Sequence, residues 1–274
     1  MRSFSLAYLT VNASSILESI DIAEDLGFDR VGLRLRPNTP GAPCQTFINH
    51  PEIQHLVLAR LKDSPVEVFD IEIVRLAEDF EATNYTALFD AGAALGAQAV
   101  LVAADDTQAS RLSENYAKLC EFIRPYGMSA DLEFMAWTGV KDALSAWWVI
   151  EQAGSPTNAG LLFDALHFGR SSSELSDIAK IPTRLLHYAQ ICDAQAGRHF
   201  STEELIQTAR QERLLPGEGT IDIQGLFGAL PQDMPVSVEI PNFKRSSVVG
   251  DRDWAAQCLK ASKAVLNSVH RIQG

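Results

Sequence analysis

Residues 161–170 read LLFDALHFGR. The run Leu161, Leu162 and Phe163 has the composition of a strand buried on both faces, and it stops abruptly at Asp164 and His167. A carboxylate and an imidazole at the end of a core strand cost desolvation free energy unless something there uses them. Asp164 is therefore a candidate metal ligand and His167 a candidate proton-transfer group. The plain alternative is an Asp that caps the following turn and a hydrogen-bonded core His. The choice depends on whether the rest of the chain repeats the pattern.

The pattern repeats along the whole chain. Residues 4–11 alternate as a first strand, and Ser14 or Ser15 opens an amphipathic helix that closes at Gly27. Residues 29–35 (DRVGLRL) form a second strand, followed by a Pro- and Gly-rich loop too long to be only a connector. A helix over 51–62 leads to a third strand at 66–76 (VEVFDIEIVRL). The alternation continues with a helix at 84–96, a strand at 97–105, a helix at 107–126, a strand at 128–135 and a helix at 140–154. The opening segment is strand six, with a helix over 173–180. Strand seven is 185–192 (LLHYAQIC), and an insertion then carries its own helix, STEELIQTARQE, before residues 222–230. Strand eight is 235–240 (PVSVEI), and 254–272 is a terminal helix.

Eight strand–helix units in 274 residues are what a (β/α)8 TIM barrel needs, here as one domain over 1–274. A doubly wound sheet would carry a Gly-rich phosphate turn after strand one. The turn here is TVNASS, with no GxGxxG.

Composition narrows the partners. The net charge of −12 repels polyphosphate backbones, so nucleic acid is not expected. No run of eighteen apolar residues suggests a membrane span, and the first residues lack the zones of a signal peptide. Four dispersed cysteines, none in a CxxC pair, fit reduced thiols in a cytoplasm. Trp147 and Trp148, adjacent in a helix, read as core or as a surface for a homo-oligomer.

Chemistry in such barrels sits at the carboxyl ends of the strands. Strand five ends at Glu133, strand six at Asp164, strand seven at Gln190 and strand eight at Glu239. Four successive strands of a closed barrel are neighbours, so these side chains can converge. Three carboxylates together repel and raise their own pKa values unless a cation lies between them. An oxygen-only set favours one divalent cation, Mg²⁺ or Mn²⁺, over Zn²⁺. Strand two ends in Arg34 and Arg36, two apart and so expected on one face, and strand three in Arg75. Such arginines can clamp a substrate carboxylate or phosphate, or simply pair with Asp70 and Glu72. Trp137, just past Glu133, is expected to wall the pocket.

In this order and spacing, five segments resemble the xylose-isomerase-like barrels, the sugar phosphate isomerase/epimerase group. They are DLEF around Glu133, LLFDALHFGRS around Asp164 and His167, YAQICDA around Gln190, RLLPGEGTID around Arg213, and SVEIPN around Glu239. The resemblance covers the chain and is strongest over 128–242. It implies a metal held by Glu133, Asp164, Gln190 and Glu239, with His167 and Arg213 facing the substrate. Many members carry His where Gln190 stands. Gln there is similar to bacterial 3-dehydroshikimate dehydratases of the same superfamily.

The resulting expectation is a metal-dependent isomerase or epimerase acting next to the carbonyl of a small polyhydroxylated compound, with or without a carboxylate. Glu133 and Glu239, from non-adjacent strands, would exchange the proton on opposite faces of an enediolate. Expulsion of a β-hydroxyl, with His167 as acid or base, would make the same site a dehydratase. A barrel that binds a ligand without catalysis is the remote alternative.

Overall fold

A computed structural model describes residues 2–272. Eight parallel strands close a barrel in chain order: β1 (Phe4–Leu6), β2 (Arg30–Arg34), β3 (Glu67–Leu76), β4 (Ala99–Ala104), β5 (Ser129–Glu133), β6 (Ala159–Asp164), β7 (Ala189–Ile191) and β8 (Val236–Val238), which pairs back onto β1. The helices between them surround the barrel, and none of them among the described residues is long and apolar enough to cross a membrane.

Period-2 alternation sorts the strand side chains. In β4, Val100, Val102 and Ala104 join the main core under the helices. Ala99, Leu101 and Ala103 join a smaller cluster with Phe69, Leu162 and Tyr188. The same parity sends Ala130 and Leu132 of β5 and Leu161 and Phe163 of β6 into the main core. It turns Asp131 and Glu133, and Gly160, Leu162 and Asp164, to the other face, toward the barrel axis. Gly160 is required by close approach: a Cβ there would fall on the Asp131 carboxylate and 2.5 Å from His187 Nδ1.

Three expected elements differ. Strand one stops at Leu6, and residues Tyr8–Val11 form a 3-10 turn. There Thr10 Oγ1 accepts from Ile240 N and donates to Val238 O, both at 2.8 Å, replacing ladder bonds with side-chain ones. The segment after Asp164 is a helix, Ala165–Arg170, and not a bare turn. Strand seven is shorter than 185–192, because Thr183–Leu185 coil into a 3-10 turn before β7. Two helix starts follow serine caps: Ser15 closes a capping box with Glu18, and Ser201 another with Glu204.

Candidate active site

At the carboxyl end of the barrel a cavity of about 60 Å³ is lined by Arg34, Glu72, Arg75, Glu133, Trp137, His167, Arg210, Arg213 and Glu239, with Leu9, Ile73, Leu101 and Met135 as apolar walls. Strand parity delivers Arg34, Glu133, Asp164 and Gln190 to this end, and Glu239 follows directly on β8, which stops at Val238 and not at residue 240 as expected.

Arg213 organises the centre. It follows the helix Thr202–Gln211 and is only 2% exposed. Its Nη1 lies 2.5 Å from Asp164 Oδ2 and its Nη2 2.8 Å from Glu239 Oε2. Nε donates to Ala209 O at 3.0 Å, and Nη1 also reaches Glu239 O at 3.2 Å. Asp164, fully buried, also accepts from His167 N at 3.1 Å. Asp164 is thus both the cap of the following helix and a member of the charged centre, so the two readings of that residue are compatible.

The remaining acids are less well compensated. Glu133 meets His167 Nε2 at 3.7 Å, and ligand atoms of Glu133, Asp164 and His167 lie within 4.8 Å of one another. Gln190 donates Nε2 to Glu239 Oε1 at 3.2 Å, leaving its buried Oε1 without a partner. Glu72 pairs with Arg34 at 3.2 Å.

Burial and neighbouring charge perturb these groups together. Burial, with Asp164 and Glu239 nearby, pushes Glu133 well above the carboxylate range. Burial also raises Glu239, to about 8, although Arg213 opposes it. For Asp164 the burial penalty is outweighed by Arg213 and His167, which hold it below its ordinary value. Burial depresses His167 to about 4, so its imidazole is neutral near pH 7. Its Nδ1 has no partner, and Trp137 meets the ring edge-on at 5.0 Å.

Two arginine expectations separate here. Arg34 and Arg75 line the cavity, Arg75 holding Asp105 through two 2.6 Å contacts and Asn38 at 3.0 Å. Arg36 does not share their face. β2 ends at Arg34, so the alternation lapses, and Arg36 bonds Asn84 O at 3.0 Å and covers the Tyr85 ring. Arg210, unforeseen from the sequence, also lines the cavity. It is exposed at its outer side, and partial desolvation with the charges of Arg75 and Arg34 lowers its pKa. The signal was present in two arginines three apart at the end of an amphipathic helix.

The four carboxylates Glu72, Glu133, Asp164 and Glu239 face two buried guanidiniums, Arg34 and Arg213. A divalent cation would balance that excess, and the partnerless Gln190 Oε1 is a ligand-type oxygen beside it.

Comparison with known proteins adds the family. Residues 20–264 match the family described as xylose isomerase-like TIM barrel. The chain belongs to that family. An inosose isomerase of Halalkalibacterium halodurans is 30% identical over 131 residues, 45% of this chain and 43% of the relative, so the match spans less than half of that protein. Among solved structures, the IolI protein, described with a bound zinc atom, superposes with a TM-score of 0.80 at 15% identity over 97% of this chain and 99% of its own. The probable 3-DHS dehydratase AsbF of Bacillus anthracis gives 0.74 at 13% identity, covering 95% and 98%. At such identities these likenesses speak for the fold, which this xylose isomerase-like barrel shares with both.

Proposed function

We propose that this barrel is an enzyme that moves a proton on the carbon next to a carbonyl, as an isomerase or epimerase of a small polyhydroxylated compound. The observation that carries the reading is the pair Glu133 and Glu239. Both are buried, both line one cavity, and burial pushes both carboxyls above their ordinary value, Glu239 to about 8.

Glu133, Asp164, Gln190 and Glu239 would hold a divalent cation, with His167 within reach as a further ligand. The oxygen-rich set suits Mg²⁺ or Mn²⁺, and the imidazole admits Zn²⁺, the ion named for IolI. When bound, that ion supplies a Lewis acid for the carbonyl and neighbouring hydroxyl oxygens. The chain's own groups do the rest. One glutamate takes the proton from carbon and the other returns it from across the cavity. Arg213 keeps Asp164 ionised and holds Glu239 in place through its two ion pairs. Neutral His167 offers a hydrogen bond to a substrate oxygen, and Trp137 with Met135 and Ile73 limits water around the reacting carbon.

A second reading, dehydration, is favoured by one observation. Arg34 and Arg75 are engaged with carboxylates, whereas Arg210 faces the cavity without an ion pair among the described residues, as a clamp for a carboxylated substrate would. The test is a screen of inososes, ketoses and 3-dehydroshikimate in deuterated buffer with Mn²⁺ or Mg²⁺. Isomerisation gives deuterium at the carbon next to the carbonyl and a rearranged carbonyl compound. Dehydration gives a water-loss product with new ultraviolet absorbance. Glu239→Ala should lose cation binding and turnover, and full activity in that variant would falsify the site.

A further inference from the structure

A second cavity, of about 400 Å³, is lined by Thr208 and Glu212, next to Ala209, Arg210 and Arg213, which line the first. Arg170, Lys244, Arg245, Gln195, Thr208 and Glu212 line it. Three cations therefore face one acid, in a chain whose net charge is −12.

Arg170 is the unusual member. It is 6% exposed, and its Nε and Nη1 have no hydrogen-bond partner. Its guanidinium stacks on Phe200, 3.4 Å from the ring centroid. That stacking covers a face and leaves the in-plane N–H donors unserved. Glu204, whose charge Arg170 feels, spends its carboxylate on Ser201 N at 2.7 Å, capping its own helix. The other cations are better served: Lys244 meets Glu212 at 3.4 Å and Arg245 meets Glu218 at 2.6 Å. A buried guanidinium with empty donors is costly until an acceptor arrives, and a tetrahedral oxyanion presents acceptors on several sides.

We propose that this second cavity, built on Arg170, Lys244 and Arg245, binds a phosphate group, free or carried by a small phosphomonoester. Its volume exceeds that of an inorganic ion and suits a compact metabolite. Gln195 and Thr208 add an amide and a hydroxyl to the donor set. The wall is shared with the carboxylate centre: Asn242 donates to Arg213 O at 2.9 Å, and Glu212 bridges to Asn242 just before Arg213.

The test is thermal unfolding of the full chain titrated with inorganic phosphate and with glycerol 3-phosphate, against chloride at matched ionic strength. A saturable rise in Tm is expected with at least one of them, and the tighter ligand tells free phosphate from a monoester. Arg170→Gln should weaken the apparent affinity at least about tenfold, the value of one charge-assisted hydrogen bond. Because a buried arginine can be needed for folding, the surface pair Lys244→Gln with Arg245→Gln provides an independent second arm with the same expectation. Arg210→Gln, which alters only the first cavity, should leave the titration unchanged. The proposal is overturned if neither ligand shifts Tm beyond chloride. It is also overturned if both second-cavity variants titrate like the wild type, or if Arg210→Gln is the variant that abolishes the effect.

Discussion

Replacing Arg213 by Met removes the charge while keeping much of the volume. In the native centre one guanidinium serves two buried carboxylates, at 2.5 Å from Asp164 and 2.8 Å from Glu239. Without it both must be buried unpaired or take up protons. Glu239 has an easy escape, since its pKa is already about 8. Asp164 loses the partner that kept it ionised and must take up its proton from an ordinary carboxylate value, which costs more at pH 8. Breaking a buried pair by removing one partner costs about 3–5 kcal/mol. Protonating Asp164 sets a ceiling on its share of that cost. From an ordinary value near 4 the ceiling is about 5.5 kcal/mol at pH 8 and about 1.4 kcal/mol at pH 5. Urea unfolding should therefore show a loss of about 3–5 kcal/mol near pH 8 that shrinks to below about 2 kcal/mol near pH 5. Saturating Mg²⁺ or Mn²⁺ should recover much of the loss at the higher pH by supplying the missing positive charge. A small loss, equal at both pH values and indifferent to divalent cations, would refute the electrostatic account of this residue.

Other expectations follow from the same contacts. Glu133→Gln should weaken divalent-cation binding by roughly 100-fold or more in calorimetry. It should also stabilise the metal-free fold increasingly as pH rises above the ordinary glutamate value. The fold raises the Glu133 pKa, so ionising that group disfavours the folded state. Arg210→Gln should raise KM by about 10- to 100-fold for a carboxylated substrate and leave a neutral one unaffected, which steady-state kinetics on both classes would decide. His187 contacts acceptors through both ring nitrogens, Asp131 Oδ1 at 2.8 Å and Arg184 O at 3.1 Å, and the Asp131 bond raises its pKa. Its stabilisation should be full below the ordinary histidine value and fade as pH rises through the higher folded one. The stability gap between wild type and His187→Gln should then be larger near pH 6 than near pH 9, and urea midpoints showing the reverse would contradict it. Gly160→Ala should lower stability by roughly 1–3 kcal/mol in the same assay, because the added methyl drives Asp131 and His187 apart.

Strand order and side-chain parity were legible because they are local. A buried run followed by a polar residue marks a strand's carboxyl end, and a period of two assigns that residue a face. Glu133, Asp164 and Gln190 needed nothing more to be read as neighbours inside a barrel. The helix after Asp164 was harder to see. Residues 165–170 are too short for a clear 3.6 period, and the Asp164 cap is itself part of the charged centre.

By itself the sequence determined the barrel, its strand order and the strand-end acids Glu133 and Asp164, since each rests on short-range patterning and a closed parallel topology. Only the tertiary structure decided the partners. It turned Arg36 outward where β2 ended, gave Arg34 to Glu72 and Arg75 to Asp105, brought Arg210 to the cavity, and set Arg213 between Asp164 and Glu239. Charge pairing acts through space between residues far apart in the chain. Arg213 and Asp164 are 49 positions apart, and no pattern along a sequence encodes which buried cation answers which buried acid.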